Sequence, residues 1–384
     1  MAFTLLRHVK RCSPKRVWNY PALNAFVTRS AATGVHLPFW EPGSGHFGNT
    51  LGQNNKGIVE GSIGLILPRL DKIPVPARNG VFTIGDYGTS DGSTSMTLVR
   101  KIIDESSYLH DFTNVYTMAS NTNFYKQVVP NETCDVIFTS IATHWLEDDV
   151  PPVRSSVFDV TATDEELLPF KRASARSWEK FLLLRAKELK PGGLLIALAI
   201  TNDDKFDGVR RPRTRSELTA DTPMVNIHGV LLDLQDSWRE LMEKSVITQE
   251  EYHATFAKGA SRTGSEITLP FKESTSPVVL AGLNMVYHDQ VLADCAFKAM
   301  WREKLQREGI DDRECFAARL AEAHRVWCNA SFRSGLSDSR TEEEKDAVLD
   351  QFYDTFRRRV AEADPATYRS EIFLSRLIAQ KKMK

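Results

Sequence analysis

The 384-residue sequence predicts an α/β protein, a layered parallel sheet with a mainly helical insertion between core strands. Three observations lead there. Residues 81–84 form a short β-type run that stops at Gly85-Asp86-Tyr87-Gly88, and helical apolar spacing follows at Met96, Val99, Ile102 and Ile103. Residues 194–200 are a continuous apolar run of strand length, directly behind Pro191-Gly192-Gly193. After residue 200 the chain turns polar and then helical before strand character returns at 285–292.

In chain order, residues 41–57 are rich in Gly and Asn and read as loop. Residues 81–84, 115–118 and 135–139 read as strands, the last centred on Val136, Ile137 and Phe138. Residues 178–189 read as an amphipathic helix, ended by the Pro-Gly-Gly turn that feeds the 194–200 strand. Residues 203–223 form a polar loop carrying Lys205, Arg210, Arg211, Arg213 and Arg215. Helices are expected within 228–262 and at 296–308, 311–329 and 341–363, and a last strand at 372–378. The organisation is a leader or arm (1–44), a first core part (45–202), a helical cap (203–284) and a second core part with extra helices (285–384).

Charge divides the chain. It has 49 basic and 50 acidic residues, yet residues 1–40 carry six basic and no acidic ones, leaving 43 against 50 in the remainder. A near-neutral total argues against wholesale nucleic-acid binding. The basic, acid-free start reads either as a mitochondrial transit peptide or as an arm on the body. No run approaches the roughly 18–20 apolar residues of a membrane span. The five cysteines are scattered, with no Cys-x-x-Cys pair, so neither a disulfide framework nor a structural zinc site is expected. A reducing compartment fits, cytoplasmic or, if the leader is a transit peptide, mitochondrial.

Three motifs carry chemistry. The first is Gly85-Asp86-Tyr87-Gly88-Thr89-Ser90-Asp91-Gly92, a strand-end turn whose glycines let a ligand approach the backbone. It is neither Gly-x-Gly-x-x-Gly nor a phosphate loop. A carboxylate at Asp86 suits a ligand ammonium group, and S-adenosylmethionine is a cofactor with such an end. A plain strand-to-helix turn explains the motif equally well. The second is Ser140-Ile141-Ala142-Thr143-His144-Trp145-Leu146, which offers an imidazole, an indole donor and an aromatic wall at a strand end. Taken alone, a core Trp beside a half-exposed His is the commoner explanation. The third, Glu188-Leu189-Lys190-Pro191-Gly192-Gly193, turns a helix into a strand.

In this order the three motifs resemble those of the SABATH carboxyl methyltransferases (the salicylic acid, benzoic acid and theobromine group), from about residue 45 to the C-terminus. The family's Ala-Asp-Leu-Gly-Cys-Ser-Ser-Gly, Ser-Tyr-Ser-Leu-His-Trp-Leu and Phe-Leu-x-x-Arg-x-x-Glu-Leu-x-Pro-Gly-Gly have counterparts at 85–92, 140–146 and 181–193. The cap helix and its acidic turn resemble 234–251. The resemblance implies a Rossmann-like methyltransferase fold, S-adenosyl-L-methionine as cofactor and a small carboxylic acid as acceptor. It also implies a homodimer, while the charge balance and the lack of a long apolar run lead to the expectation of neither nucleic acid nor membrane as partner.

By the same resemblance, Gln53 and Trp145 hold the acceptor carboxylate and His144 lines the pocket. Asp86, assisted by Thr94, holds the cofactor's methionine end, Asn123 and Phe124 contact its adenine, and Gly88 and Ser140 belong to the same cofactor site. The family's ribose-binding acid has no counterpart after residue 118, where Ser120 or Asn121 stands in. The family's Tyr in the His-Trp-Leu motif is Ile141. Its Phe-Asn pair, used by some members for magnesium, is Phe256-Ala257, so no metal is expected. Arg210 and Arg211 read either as a grip on a second carboxylate or as part of a solvated loop. The expected reaction is methyl-ester formation on a small acid, aromatic or dicarboxylic. The alternatives are methyl transfer to nitrogen or hydroxyl, with His144 as base, and a non-catalytic ligand-binding relative.

Overall fold

A computed structural model describes residues 2–8, 52–74, 81–88, 95–105, 112–120, 122–147, 150–151, 153–206, 212–219, 221–257 and 259–384. Among the described residues eight strands make one sheet: β1 (Ala2–His8), β2 (Val81–Asp86), β3 (Phe112–Ala119), β4 (Cys134–Ser140), β5 (Leu189–Asn202), β6 (Arg262–Thr263), β7 (Leu283–Ala293) and β8 (Ile372–Lys381). Their order is β3-β1-β2-β4-β5-β8-β7, with the short β6 paired to β5. β2, β4 and β5 run parallel, and β8 lies antiparallel between β5 and β7. The α/β class read from the sequence is the observed one, but the sheet is mixed rather than parallel, because β1 and β8 each pair antiparallel with both neighbours.

One strand departs from the reading. Ala2–His8 belongs to the segment taken as a leader or arm, yet it pairs antiparallel with β2 on one side and β3 on the other. Ala2 is level with both Asp86 and Ala119. The basic charge of the first 40 residues masked a short run, Phe3-Thr4-Leu5-Leu6, with a composition compatible with a strand. The rest of the leader, 9–44, lies outside the described residues.

A second departure is helix α1 (Gly52–Leu70), which begins inside the stretch read as loop. Gly and Asn disfavour helix locally, but Asn55, Ile58, Val59, Ser62 and Ile66 are buried, and this packing overrides propensity. Helix α2 (Met96–Glu105) follows β2. Helix α3 (Asp164–Glu188) starts well before Trp178, at a capping box in which Thr163 and Glu166 satisfy each other's backbone N–H. Its buried face includes Phe170, Ala173, Ser174, Ser177, Trp178, Phe181 and Arg185, and Trp178 stacks on Phe181 at 5.6 Å. β5 begins immediately after it. Gly193 is required there, because a Cβ would lie 2.9 Å from the Asp135 carbonyl.

Between β5 and β7 come α4 (His228–Glu243), α5 (Gln249–Ala254), α6 (Gly264–Thr268) and α7 (Pro277–Leu280). Between β7 and β8 come α8 (Ala296–Glu308), α9 (Arg313–Ser334) and α10 (Glu342–Ala361). The two groups share a core: Trp238 of α4 meets Phe332 of α9 at 5.0 Å and Phe352 of α10 at 5.1 Å. Among the described residues no helix is long and apolar enough to cross a membrane.

Candidate functional site

The first two motifs meet at the carboxyl ends of β2 and β4, while the third lies at the amino end of β4, where Cys134 is level with Leu189. Asp86 closes β2, buried, and accepts a hydrogen bond from the Ser95 hydroxyl. Gly88 adopts φ +83°, and a Cβ there would overlap the Cβ of Ala142. Only glycine meets both demands. The first motif is thereby packed against the second. Residue 141, where the family resemblance has Tyr, is Ile at φ 51°, a strained conformation for a β-branched residue. That reversal redirects the chain after β4 into the His144–Trp145 turn.

The turn is held from several sides. The Tyr125 hydroxyl donates to the carbonyls of Trp145 at 2.7 Å and Thr143 at 3.2 Å. Ala260 N–H donates to His144 O at 2.9 Å, and Trp145 bridges to Gly259. Arg262 Nη1 donates to Thr143 O at 2.8 Å. The Trp145 ring meets His144 at 4.8 Å and Trp327 of α9 at 6.2 Å. Trp327 is fixed in turn by donating from Nε1 to Nδ1 of His324 at 2.7 Å. Both His144 and Trp145 are half-buried, which departs from the fully core Trp favoured for an isolated pair.

The third motif does more than turn the chain. Arg185 and Glu188 are fully buried and paired at 2.8 Å. Arg185 donates to the carbonyls of Phe124 and Lys126, while Glu188 accepts from Val128 N–H at 2.6 Å and from the Tyr87 hydroxyl at 2.8 Å. The pair therefore fixes the 123–128 loop against the first motif. Within that loop, Asn123 Oδ1 accepts from Tyr125 N–H at 2.9 Å, and Phe124 lies edge-on to Phe181.

The remaining expected site residues are placed unevenly. Ser120 follows β3 and bonds Thr122. Gln53 is the second residue of α1, but its side chain, like Thr94, Asn121, Arg210 and Arg211, lies outside the described residues. Of the other loop arginines, Arg215 pairs with buried Asp233 at 3.2 Å and so serves the cap. Among the described residues no cluster of three His, Cys, Asp or Glu side chains could hold a metal ion. The sequence reading missed Tyr125, Arg262, Trp327 and His324 as supports of the turn. Their partners lie 18 or more residues away along the chain, apart from the local Trp327–His324 bond, so no local pattern marked them.

No protein-family model matches the chain. Curated relatives do. A probable S-adenosylmethionine-dependent methyltransferase of Arabidopsis thaliana is 26% identical over 274 residues, 57% of this chain and 72% of the relative. An indole-3-acetate O-methyltransferase of Oryza sativa subsp. japonica is 26% identical over 254 residues, 62% of this chain and 52% of the relative. Among solved structures, a loganic acid methyltransferase with S-adenosylhomocysteine superposes with TM-score 0.61 at 13% identity, covering 90% of this chain and 99% of that one.

Fold and relatives together define the class: a Rossmann-like, S-adenosylmethionine-dependent methyltransferase. Within that class the chain is a distant member, and the SABATH-type resemblance of its three motifs fits these relatives. The residues present fit the cofactor. The hydroxyls of Thr139 and Ser140, at the carboxyl end of β4, are buried without a hydrogen-bond partner. A ligand at the strand ends would satisfy them.

Proposed function

We propose that this methyltransferase acts on oxygen, converting the carboxyl group of a small acid into its methyl ester. The reading rests above all on the His144–Trp145 turn, set at the carboxyl end of β4 and packed through Ala142 onto Gly88. An acceptor on that turn sits beside the strand ends where the cofactor binds.

Asp86, with Thr94, takes the cofactor's methionine end, and the Gly88 backbone and Ser140 hydroxyl border it. Ser120 or Asn121 would hold the ribose, and Asn123 and Phe124 the adenine. When bound, S-adenosylmethionine supplies a sulfonium methyl group, which passes to a carboxylate oxygen and leaves its bonding electron pair on sulfur. The acid is ionised at neutral pH, so the protein needs no strong base. Gln53 and the Trp145 indole N–H hold the carboxylate in line, and His144 walls the pocket. Their contribution is orientation and exclusion of water. On a dicarboxylic acid, Arg210 and Arg211 would be the grip on the second carboxylate; on a monoacid they would be part of a solvated loop.

The test is methyl-labelled S-adenosylmethionine incubated with a panel of mono- and dicarboxylic acids. Acid-dependent label that mild alkali releases is the expected result. Label on an alkali-stable nitrogen or ether position, or no transfer to any acid, contradicts the reading.

A further inference from the structure

Directly behind the acceptor turn lies a buried cation without an anion. Arg262, the first residue of β6, is 3% exposed. Its Nη1 donates to Thr143 O at 2.8 Å, its Nη2 to Ser174 O at 2.8 Å and its Nε to the same oxygen at 3.3 Å. The guanidinium also lies 5.5 Å from the Trp178 ring centroid. All these partners are neutral. Among the described residues no carboxylate stands within ion-pairing distance of it. Glu266 acts on it without forming an ion pair, and that carboxylate accepts from Thr263 N–H in a capping box.

The rest of the fold shows that this is not its habit. Among the described residues the other fully buried arginine, Arg185, has Glu188 at 2.8 Å, and Arg215 meets Asp233 inside the cap. Burying an unpaired charge is costly. The same low-dielectric surroundings carry its field further than water would. They carry it into the acceptor turn, because the first group the guanidinium touches is the Thr143 carbonyl. In a trans peptide the N–H points opposite to the C=O. Holding Thr143 O on Arg262 therefore aims the His144 N–H away from the cation, so the peptide dipole and the charge present their positive ends in the same direction.

We propose that Arg262 is the positioning residue that makes the acceptor site select an anion, acting through the Thr143–Trp145 backbone and by its field. This rests on the carboxyl-acceptor reading above. It also accounts for how a body of net charge −7 beyond residue 40 collects an acidic substrate, since a local buried charge is little screened by salt.

The test compares the best acid of the panel with its primary amide, which keeps the shape and loses the charge, by calorimetry on protein saturated with S-adenosylhomocysteine. The wild type should prefer the acid at least tenfold. Arg262→Gln should bring the ratio near unity while S-adenosylhomocysteine affinity stays within twofold, and Arg262→Lys should keep most of the preference. Ser174→Asp sets a carboxylate beside the intact guanidinium and should also abolish the preference. An unchanged ratio in Arg262→Gln overturns the proposal. If that variant does not fold, an unchanged ratio in Ser174→Asp overturns it instead. A wild type that methylates acids yet binds acid and amide equally removes the Arg262 proposal alone. Absence of methyl transfer to any acid removes the reading beneath it.

Discussion

The hydroxyl of Tyr125 donates to the backbone carbonyl of Trp145 at 2.7 Å. One bond thus ties the Asn123–Tyr125 loop to the His144–Trp145 turn, across 20 positions of sequence. Tyr125→Phe deletes the donor and leaves the Trp145 carbonyl short of a partner, while Thr143 O keeps its bond from Arg262. An unsatisfied buried group costs about 1–3 kcal/mol. Urea unfolding should show a loss in that range. In the folded variant the KM for the acid should rise more than the Kd for S-adenosylhomocysteine.

The Arg185–Glu188 pair is the second load on that loop. Either single change, Arg185→Met or Glu188→Met, strands a buried charge, and such changes cost about 3–5 kcal/mol. The double variant should lose less than the sum of the singles, because neither charge is left alone. Strict additivity in denaturant midpoints would contradict the coupling described for the pair.

Gly88→Ala imposes a left-handed conformation on a residue with a side chain and drives that side chain into Ala142. The conformational part alone costs about 1–2 kcal/mol. Because the strain falls at the end of β2, S-adenosylhomocysteine binding should weaken at least tenfold in calorimetry. Unchanged affinity would separate Gly88 from the cofactor site.

These positions show what the sequence can and cannot disclose. The strand at 194–200 was legible because its apolar run is continuous, and the later helices because their apolar spacing is periodic. Asp86, His144 and Trp145 were legible as strand-end residues. α1 was not, because its first turn is Gly and Asn, and only burial of Asn55, Ile58 and Val59 makes it helical. Arg262 was equally hidden. It sits among small polar residues, and its partners, Ser174 and Thr143, lie 88 and 119 positions away. Arg215 looked like a loop charge until Asp233 came up beneath it.

Acid should destabilise the protein in two stages. Burial lowers the pKa of His324 from its usual 6.5 to about 3, and the Trp327 bond to Nδ1 requires the neutral ring. Burial, with the charge of Arg369, lowers His228 to about 4. From 6.5 downward these two histidines bind protons in the unfolded chain and not in the folded one, so their contribution to stability falls with falling pH, opposed below about 6 by Asp233, whose pKa burial raises to about 6. Glu251, held near 2 chiefly by the Arg340 hydrogen bond, adds stability above its usual 4.5 that is lost between about 4.5 and 2. Urea midpoints measured from pH 7.5 to 4 should trace the first decline and the start of the second. His324→Gln, which keeps an acceptor for Trp327, should flatten the portion below 6.5.

The central claim is that the Thr143–Trp145 turn holds the acceptor carboxylate beside the cofactor. Trp145→Phe keeps an aromatic ring against His144 and Trp327 and removes only the indole N–H and the second ring. Kinetics of label transfer to the best acid, read beside S-adenosylhomocysteine calorimetry, test that claim directly. A hydrogen bond to a charged group is worth about 1.5–3 kcal/mol. kcat/KM for the acid should therefore fall at least about tenfold, with the Kd for S-adenosylhomocysteine within twofold of wild type. Equal loss of both, or loss of neither, would contradict it.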